Sequence, residues 1–406
     1  MVGVYEAQDD RTGYVIPIET VLAKFNQKKE ITFSQSTNTA AILDAGNKQF
    51  RKEEYIAAIE YYDNVIKDPN FVFAWGNKGK SLSNMGKHEE AIKCYDRALE
   101  IDPSYAFAWN GKGLSLDYLG KHEEAIKCYD RALEINPNYV EVWSGKGFAL
   151  DKIKMHGEAI KCFYKALEIN QNDADAWSNR GFALANLSDY TEALKCYDKA
   201  IEINPNHNRA WNCKGLALSR LNRDEEAIKC FDKAIEINPN HNRAWNNKGN
   251  SLSRLERVEE AIKCFNKSIE INPVYIFPWI NKSFNLIKLN KNIEAIESAN
   301  NALQLNSGQS SIHARVWIAK ASAFQKLFRY DEAVDSYNKA IDLHPNNAYT
   351  WYNRACCNVN RGEIEKGLAD LKKAIEIDKK LSNLAKRAPC FLGLSYDERF
   401  NALLYT

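Results

Sequence analysis

Nine tryptophans set the scale on which this chain can fold. Trp75, Trp109, Trp143, Trp177, Trp211, Trp245 and Trp279 follow one another at intervals of 34 residues, Trp317 comes 38 later, and Trp351 another 34 on. A period of that length predicts a stack of small units, none large enough to hide an apolar face alone, each packed on the next. At 406 residues a single core would be near or past its usual size limit in any case. The one break in the ruler is a four-residue insertion at 308–311.

Residue types repeat inside the unit as well. Four residues after the Trp stands Gly79, Gly113, Gly147, Gly181, Gly215, Gly249, Ser283, Ala321 or Ala355, one helical turn on and on the same face. Small residues there let a second helix come close. That helix is marked by Ala91, Ala125, Ala159, Ala193, Ala227, Ala261, Ala295 and Ala333, followed four residues later by aromatics such as Tyr95, Tyr129, Phe163 and Phe231. It closes on Pro103, Pro137, Pro205, Pro239, Pro273 and Pro345, which cannot continue a helix.

The string from Trp245 to Pro273, WNNKGNSLSRLERVEEAIKCFNKSIEINP, resembles the tetratricopeptide repeat. The resemblance implies an all-α fold, a right-handed superhelical solenoid of antiparallel helix pairs. One departure is systematic. Where the family prefers Leu, the chain has Lys78, Lys112, Lys146, Arg180, Lys214, Lys248, Lys282, Lys320 and Arg354, whose stems are expected to lie on a neighbouring helix while the charge reaches water. Counted backward, 38–71 is a degenerate first repeat with Ala57, Tyr61 and Pro69 in register and Ala41 in place of the Trp, so ten repeats run over 38–381.

The ends need lids. Residues 382–406 carry Phe391, Leu394, Phe400, Leu403 and Leu404, with capping-box spacing at Ser395 and Glu398, and read as a short terminal helix. Residues 1–37 lack the repeat pattern. Their segment GYVIPIETVLAKF is weakly similar to the closing strand and following helix of trypsin-like protease domains, over a dozen residues and with no catalytic elements. The other reading of that segment is a strand or arm packed on the first repeat.

Charge narrows the partners. Lys plus Arg number 55 against 53 Asp plus Glu, which offers no global attraction to nucleic acid or anionic lipid. No apolar run approaches the roughly 18 residues of a membrane span, and no basic-then-apolar signal pattern opens the chain. A cytoplasmic protein is expected. Six of the ten cysteines, Cys94, Cys128, Cys162, Cys196, Cys230 and Cys264, share one register and read as packing residues of a reducing compartment.

Recognition should be read on the first helices. With the Trp at position 4, positions 2, 5, 6, 9, 12 and 13 point away from the buried face, and in the family that side lines the concave groove. Position 2 runs Phe73, Phe107, Glu141, Asp175, Arg209, Arg243, Phe277, Arg315 and Tyr349. Position 9 includes Phe148 and Phe182, and position 13 adds Arg220 and Arg254. With Asn212, Asn246 and Asn247 the four arginines make a basic, amide-rich stretch. Asp117, Glu141, Asp151 and Asp175 make an acidic one just before it. The expected ligand is a protein or peptide whose acidic segment sits on the arginines, where the planar guanidinium donates two parallel hydrogen bonds, and whose apolar side chains reach Phe148 and Phe182. Asn77, Asn179, Asn247, Asn281 and Asn353 match an Asn position that some family members use to grip a C-terminal carboxylate, but the complete Lys and Asn set is not present in consecutive repeats.

Other chemistry is poorly served. GNKGKS at 76–81 approaches a phosphate-binding loop, but Ala74 stands where that motif needs Gly, and the register lies inside a helix. No C-x-x-C, H-E-x-x-H or G-x-S-x-G spacing occurs. His207 and His241, in the duplicated phrase NPNHNRAWN, read as solvated turn residues. No cofactor, no metal and no catalytic residue is expected. The sequence therefore points to a non-catalytic scaffold or adaptor, with the regulatory or targeting arm of an effector enzyme as the alternative and self-assembly as a third reading.

Overall fold

The computed structural model describes residues 33–67, 71–305 and 308–404. Residues 1–32, with most of the non-repeat segment and its protease-like stretch, lie outside the described residues, as do Pro69 and Ser307. The chain divides into two compact units at Pro205 and Asn206. Among the described residues every regular element is helical, so the all-α class holds.

The first unit consists of consecutive helix pairs: α1 (Phe33–Arg51) with α2 (Tyr55–Val65), α3 (Val72–Asn84) with α4 (His88–Ile101), α5 (Ala106–Tyr118) with α6 (His122–Ile135), α7 (Val140–Lys152) with α8 (His156–Ile169), and α9 (Ala174–Asn186) with α10 (Tyr190–Ile203). The second unit continues the pattern with α11 (Asn208–Arg220) and α12 (Asp224–Ile237), α13 (Asn242–Arg254) and α14 (Val258–Ile271), α15 (Ile276–Lys288) and α16 (Asn292–Leu303), α17 (Ser310–Lys326) and α18 (Tyr330–Leu343), and α19 (Ala348–Asn360) and α20 (Ile364–Ile377). Within each unit a first helix packs on its own second helix, and that helix packs on the next first helix.

The small residues after each Trp do what their size suggests. A Cβ placed on Gly113 would lie 2.8 Å from the Tyr129 ring, and one on Gly215 would lie 2.6 Å from Phe231. The aromatic of the second helix therefore occupies the space that the glycine leaves, and Tyr95, Tyr129, Phe231 and Phe265 are fully buried there. Tryptophan has a further task. The indole Nε1 of Trp109 donates to the carbonyl of Pro103 at 2.9 Å, Trp143 to Pro137 at 2.8 Å and Trp245 to Pro239 at 3.0 Å. These Trp side chains thus tie their helices to the loops that delivered them.

Between the two helices of a pair the chain takes one residue of positive φ, the left-handed step that commonly ends a helix. Gly86 and Gly120 supply it at φ 76, and Asn222 at φ 58. The second helix opens on acidic residues such as Glu89 and Glu90, placed where the helix dipole favours them. It ends in an Asx turn, as where the Asn136 side chain accepts from the backbone N–H of Asn138 at 3.1 Å.

Gly308 and Gln309 of the insertion precede α17, and Ser310 and Ser311 fall inside it; α17 has 17 residues against 13 for α13 or α15, one more turn ahead of Trp317.

Residues beyond α20 pack back on the last pair. Leu381–Ala385 (α21), a 3-10 turn over Pro389–Leu394 and Glu398–Leu404 (α22) follow α20. Phe391 packs edge-on against Tyr352 at 5.8 Å and stacks with Phe400 at 5.6 Å. The cap residue differs from the expectation at Ser395. Asp397 caps α22, accepting from the backbone N–H of Arg399 at 2.9 Å, because a carboxylate beside the helix start offers both the acceptor and the charge. Cys390 of the 3-10 turn is disulfide-linked to Cys356 of α19, with Cα atoms 5.4 Å apart. Sequence reading did not anticipate this pair. The six in-register cysteines are free and buried, and burial pushes the thiols of Cys94, Cys128, Cys162, Cys196 and Cys264 up to about 11.

Candidate functional site

The lysines that replace the family's Leu serve as staples between repeats. Lys112 on α5 reaches back to Asp96 on α4 at 2.6 Å, Lys146 to Asp130 at 2.5 Å, and Lys248 on α13 to Asp232 on α12 at 2.6 Å. Each stem crosses its own Trp, with the ammonium 5.8 Å from the Trp109 and Trp143 rings and 5.7 Å from Trp245. Where the Asp becomes Tyr164, the cation becomes Arg180, which lies 5.8 Å from that ring and 5.5 Å from Trp177. The cations paired in this way are committed to structure.

In the second unit, α11 carries Arg209, Asn212 and Arg220, and α13 carries Arg243, Asn246, Asn247 and Arg254. The asparagines form a ladder across three successive first helices. Asn247 donates to Asn212 at 3.1 Å, and Asn281 of α15 donates to Asn246 at 3.0 Å. Asn246 donates in turn to Asn247 at a long 3.5 Å. Asn212 and Asn246 are buried, so a good part of their amide capacity fixes the helices to one another.

Arg254 is also engaged within the unit. Its Nε donates to Asp224 Oδ2 at 2.9 Å and its second guanidinium nitrogen to Asp224 Oδ1 at 2.5 Å, with Ser251 at 3.2 Å and Ser219 in contact as well. Asp224 is buried at the start of α12, while the Arg254 side chain is 47% exposed. The guanidinium is therefore anchored on one edge and open on the other. Arg220 is exposed at the end of α11, and Arg209 and Arg243 are half-buried at the starts of their helices. Arg243 stands beside His241, which is half-buried rather than solvated: burial first, and the Arg243 charge second, hold its imidazole down at about 4.

Phe148 on α7 and Phe182 on α9 belong to the first unit and are half-buried; the Lys152 ammonium lies 4.8 Å over the Phe148 ring. Half of the acidic stretch is used internally. Asp117 accepts from Tyr129 at 3.1 Å and meets His122 Nδ1 at 2.8 Å, and burial raises its carboxyl above the usual range despite those contacts. Asp151 meets His156 Nδ1 at 2.6 Å and accepts from Asn186 at 3.2 Å. Glu141 and Asp175 remain exposed.

The first residue of each second helix was the signal that sequence reading passed over. His122, His156 and Asp224 occupy it, each five residues after its partner Asp117, Asp151 or Ser219. That spacing spans the turn inside a pair, so the two residues face each other. Residues 76–81 lie within α3, not in a strand-to-helix loop. Among the described residues no group of three His, Cys, Asp or Glu side chains could hold a metal ion, and no helix is long and apolar enough to cross a membrane.

Comparison with curated proteins gives no match. Solved structures similar to the chain include YrrB, described as a TPR protein with an unusual peptide-binding site, at 26% identity over 46% of this chain and 96% of that one, TM-score 0.38. A tetratricopeptide repeat protein from Parabacteroides merdae is 18% identical over 65% of this chain and 98% of that one, TM-score 0.48. The Cut9–Hcn1 hetero-tetramer of the APC/C is 14% identical over 90% of this chain and 83% of that one, TM-score 0.52, a likeness of fold. The tetratricopeptide repeat model matches residues 72–105, 106–139, 140–173, 174–207, 209–241, 243–275 and 314–347, and a second model of the same repeat matches 336–369. With more than half of its residues in those segments, the chain belongs to the tetratricopeptide repeat family.

Proposed function

We propose that the chain is a non-catalytic scaffold, an adaptor that holds an extended segment of a partner protein against the first helices of its second unit. The segment is acidic where it meets Arg209, Arg220 and Arg243, with Arg254 as a fixed edge. The observation that supports this reading is the asparagine ladder, which ties α11, α13 and α15 into one frame and so presents the arginines in a preorganised row. Preorganisation lowers the ordering cost of binding. Asp224 neutralises part of the Arg254 charge. In the first unit, Phe148 and Phe182 offer separate half-buried apolar surface to side chains of a bound segment. In the same reading the scaffold is ten repeats over 38–381, closed by 382–406, working in the cytoplasm without a cofactor.

The test is fluorescence anisotropy with a labelled peptide of alternating Glu and Leu, beside its Gln and Leu counterpart, on the full chain and on the Arg209→Ala, Arg220→Ala, Arg243→Ala triple variant. At roughly 0.5–1 kcal/mol for each partly exposed charge contact, the triple variant should bind the acidic peptide about 10–100 times more weakly, with helicity by circular dichroism unchanged. Equal binding of the two peptides, or of the two proteins, refutes the proposal.

A further inference from the structure

The repeating charge pattern fails twice at one place in the second unit. The first failure is in the staples. At the register from which Asp96, Asp130 and Asp232 reach the next repeat's lysine, α14 already carries Asn266 and α16 carries Asn300. Lys320 of α17 accordingly has no ion pair among the described residues and lies 5.1 Å over the ring of its own Trp317.

The second failure is on α18. In other repeats the cation at this register pairs with a Glu three residues on, as Lys165 with Glu168 at 2.7 Å, Lys233 with Glu236 at 2.7 Å and Lys267 with Glu270 at 2.8 Å. Lys339 has Asp342 there, one methylene shorter, and makes no such pair. Its ammonium turns to the Trp317 ring instead, 4.3 Å from the centroid. Two lysines, each deprived of its customary carboxylate by a separate substitution, therefore converge on one indole.

Asp335 and Asp342 stand about one turn either side of Lys339 on α18, and neither makes an ion pair with it or with Lys320 among the described residues. On α16, Glu294 and Glu297 act on Lys282. On α18, Asp331 pairs with Arg361 at 2.8 Å and Glu332 with Arg329 at 2.5 Å, and Arg329 itself lies 4.7 Å over the Phe324 ring. The ring faces favour ammonium ions, yet burial first and the Lys339 charge second push the Lys320 pKa down.

We propose that Trp317, Lys320 and Lys339 form a carboxylate-accepting slot, filled by an Asp or Glu side chain of a partner protein. The carboxylate is chosen because Lys112, Lys146 and Lys248, at the Lys320 register, each take one from the preceding repeat at 2.5–2.6 Å. The slot is open to a partner, since Lys339 and Asn300 are exposed. It uses position 7 of the repeat and so stands apart from the first-helix row of arginines and from the function proposed for it.

The experiment uses the full chain and an N-acetylated, C-amidated hexapeptide of alternating Asp and Gly. A carbodiimide joins bound carboxylates to amines, and mass spectrometry maps the amides. Lys320 and Lys339 should take the peptide roughly two- to fivefold more than the stapled Lys112 and Lys248, the range that an exposed ion pair spans. Asn300→Asp, at an exposed position that should fold normally, supplies an internal carboxylate and should bring labelling of Lys320 down to the level of Lys248. Equal labelling of all four lysines overturns the proposal, as does labelling of Lys320 that Asn300→Asp leaves unchanged. Protection of Lys320 and Lys339 by inorganic phosphate without any peptide amide would assign the pair to phosphate and equally overturn it.

Discussion

Replacing Gly215 by alanine adds one methyl group and should destabilise the second unit, although alanine is the better helix former. The added carbon would stand 2.6 Å from Phe231 Cε1 and 2.9 Å from Cδ1 and Cζ, where carbon atoms normally rest about 3.5–4.0 Å apart. Phe231 is fully buried, so either the ring or the whole of α12 must give way. Overpacking of this kind costs about 1–3 kcal/mol, while alanine in a helix gains up to about 1 kcal/mol over glycine. The expected net effect is a loss of about 0–2 kcal/mol. Gly157 on α8 gives the matched control, because a Cβ there meets nothing within 4 Å; the same change should stabilise by up to about 1 kcal/mol. Ala321, which stands at the glycine register opposite Tyr337, indicates that a pair built around the extra methyl can accommodate it, and this favours the middle of the range over its top. Urea unfolding followed by circular dichroism reports the sum, and hydrogen exchange over 208–237 localises it, which matters because repeat arrays often depart from two-state behaviour. If Gly215→Ala stabilises as much as Gly157→Ala, close glycine–aromatic approach is not what sets the helix spacing.

Arg254→Ala leaves the buried Asp224 carboxylate without its main partner and should cost about 1–2 kcal/mol, below the roughly 3–5 of a fully buried pair because the guanidinium is 47% exposed; adding Asp224→Asn should recover part of the loss in the same urea assay. His241 has a folded-state pKa of about 4, below its ordinary 6.5, so the unfolded chain binds the proton more tightly. The stability that this lends is complete above pH 6.5 and is lost as pH falls toward 4, by at most roughly 3 kcal/mol. His241→Gln should flatten that part of the stability–pH curve, and an unchanged curve would contradict the burial assigned to the imidazole. The buried thiols of Cys94, Cys128, Cys162, Cys196 and Cys264, held at about 11, should resist iodoacetamide at pH 7.5 in the native protein and react fully in urea; rapid native labelling would show that these positions open. Reduction of the Cys356–Cys390 link should speed amide exchange over 381–404 and leave α11 to α16 unchanged, and no change in the lid would mean that Phe391 and Phe400 hold it unaided.

The frame was legible because each of its residues answers a demand that recurs in every repeat. Trp, Gly, Ala and aromatic at fixed offsets gave the helix pairs and the buried face; the lysine stems, expected along a neighbouring helix, cross their own Trp instead at Lys112, Lys146 and Lys248. The ion-pair partners of those lysines were missed, since Asp96, Asp130 and Asp232 look like ordinary solvated charge until the preceding repeat is placed beside them. The recognition positions were harder for the opposite reason. Arg254 looked available because its partner Asp224 sits at a place where other repeats carry His, Tyr, Val, Asn or Ile, and no period points to a residue that does not repeat. Asn212, Asn246 and Asn247 were grouped as part of one stretch, but composition alone does not say whether an amide faces a ligand or another amide. At the C-terminus, Ser395 and Glu398 had the spacing of a capping box, while Asp397 had the charge and the position nearer to the helix start, and it took the role.

The lysine–aspartate staples also bear on how the chain comes apart. Each joins one repeat to the repeat before it, so it adds to the coupling between neighbours and not to the stability of either alone. Their side chains are partly exposed, 25% for Lys112 and 44% for Asp96, and dissolved ions screen them. Raising the ionic strength should therefore shorten the run of repeats that melts as a block, broadening the unfolding transition more than it lowers its midpoint. The boundary that Arg180 and Tyr164 span with a cation over a ring lacks a carboxylate to screen. In strong salt the first unit should part first at its lysine–aspartate boundaries and hold together longest where Arg180 meets Tyr164.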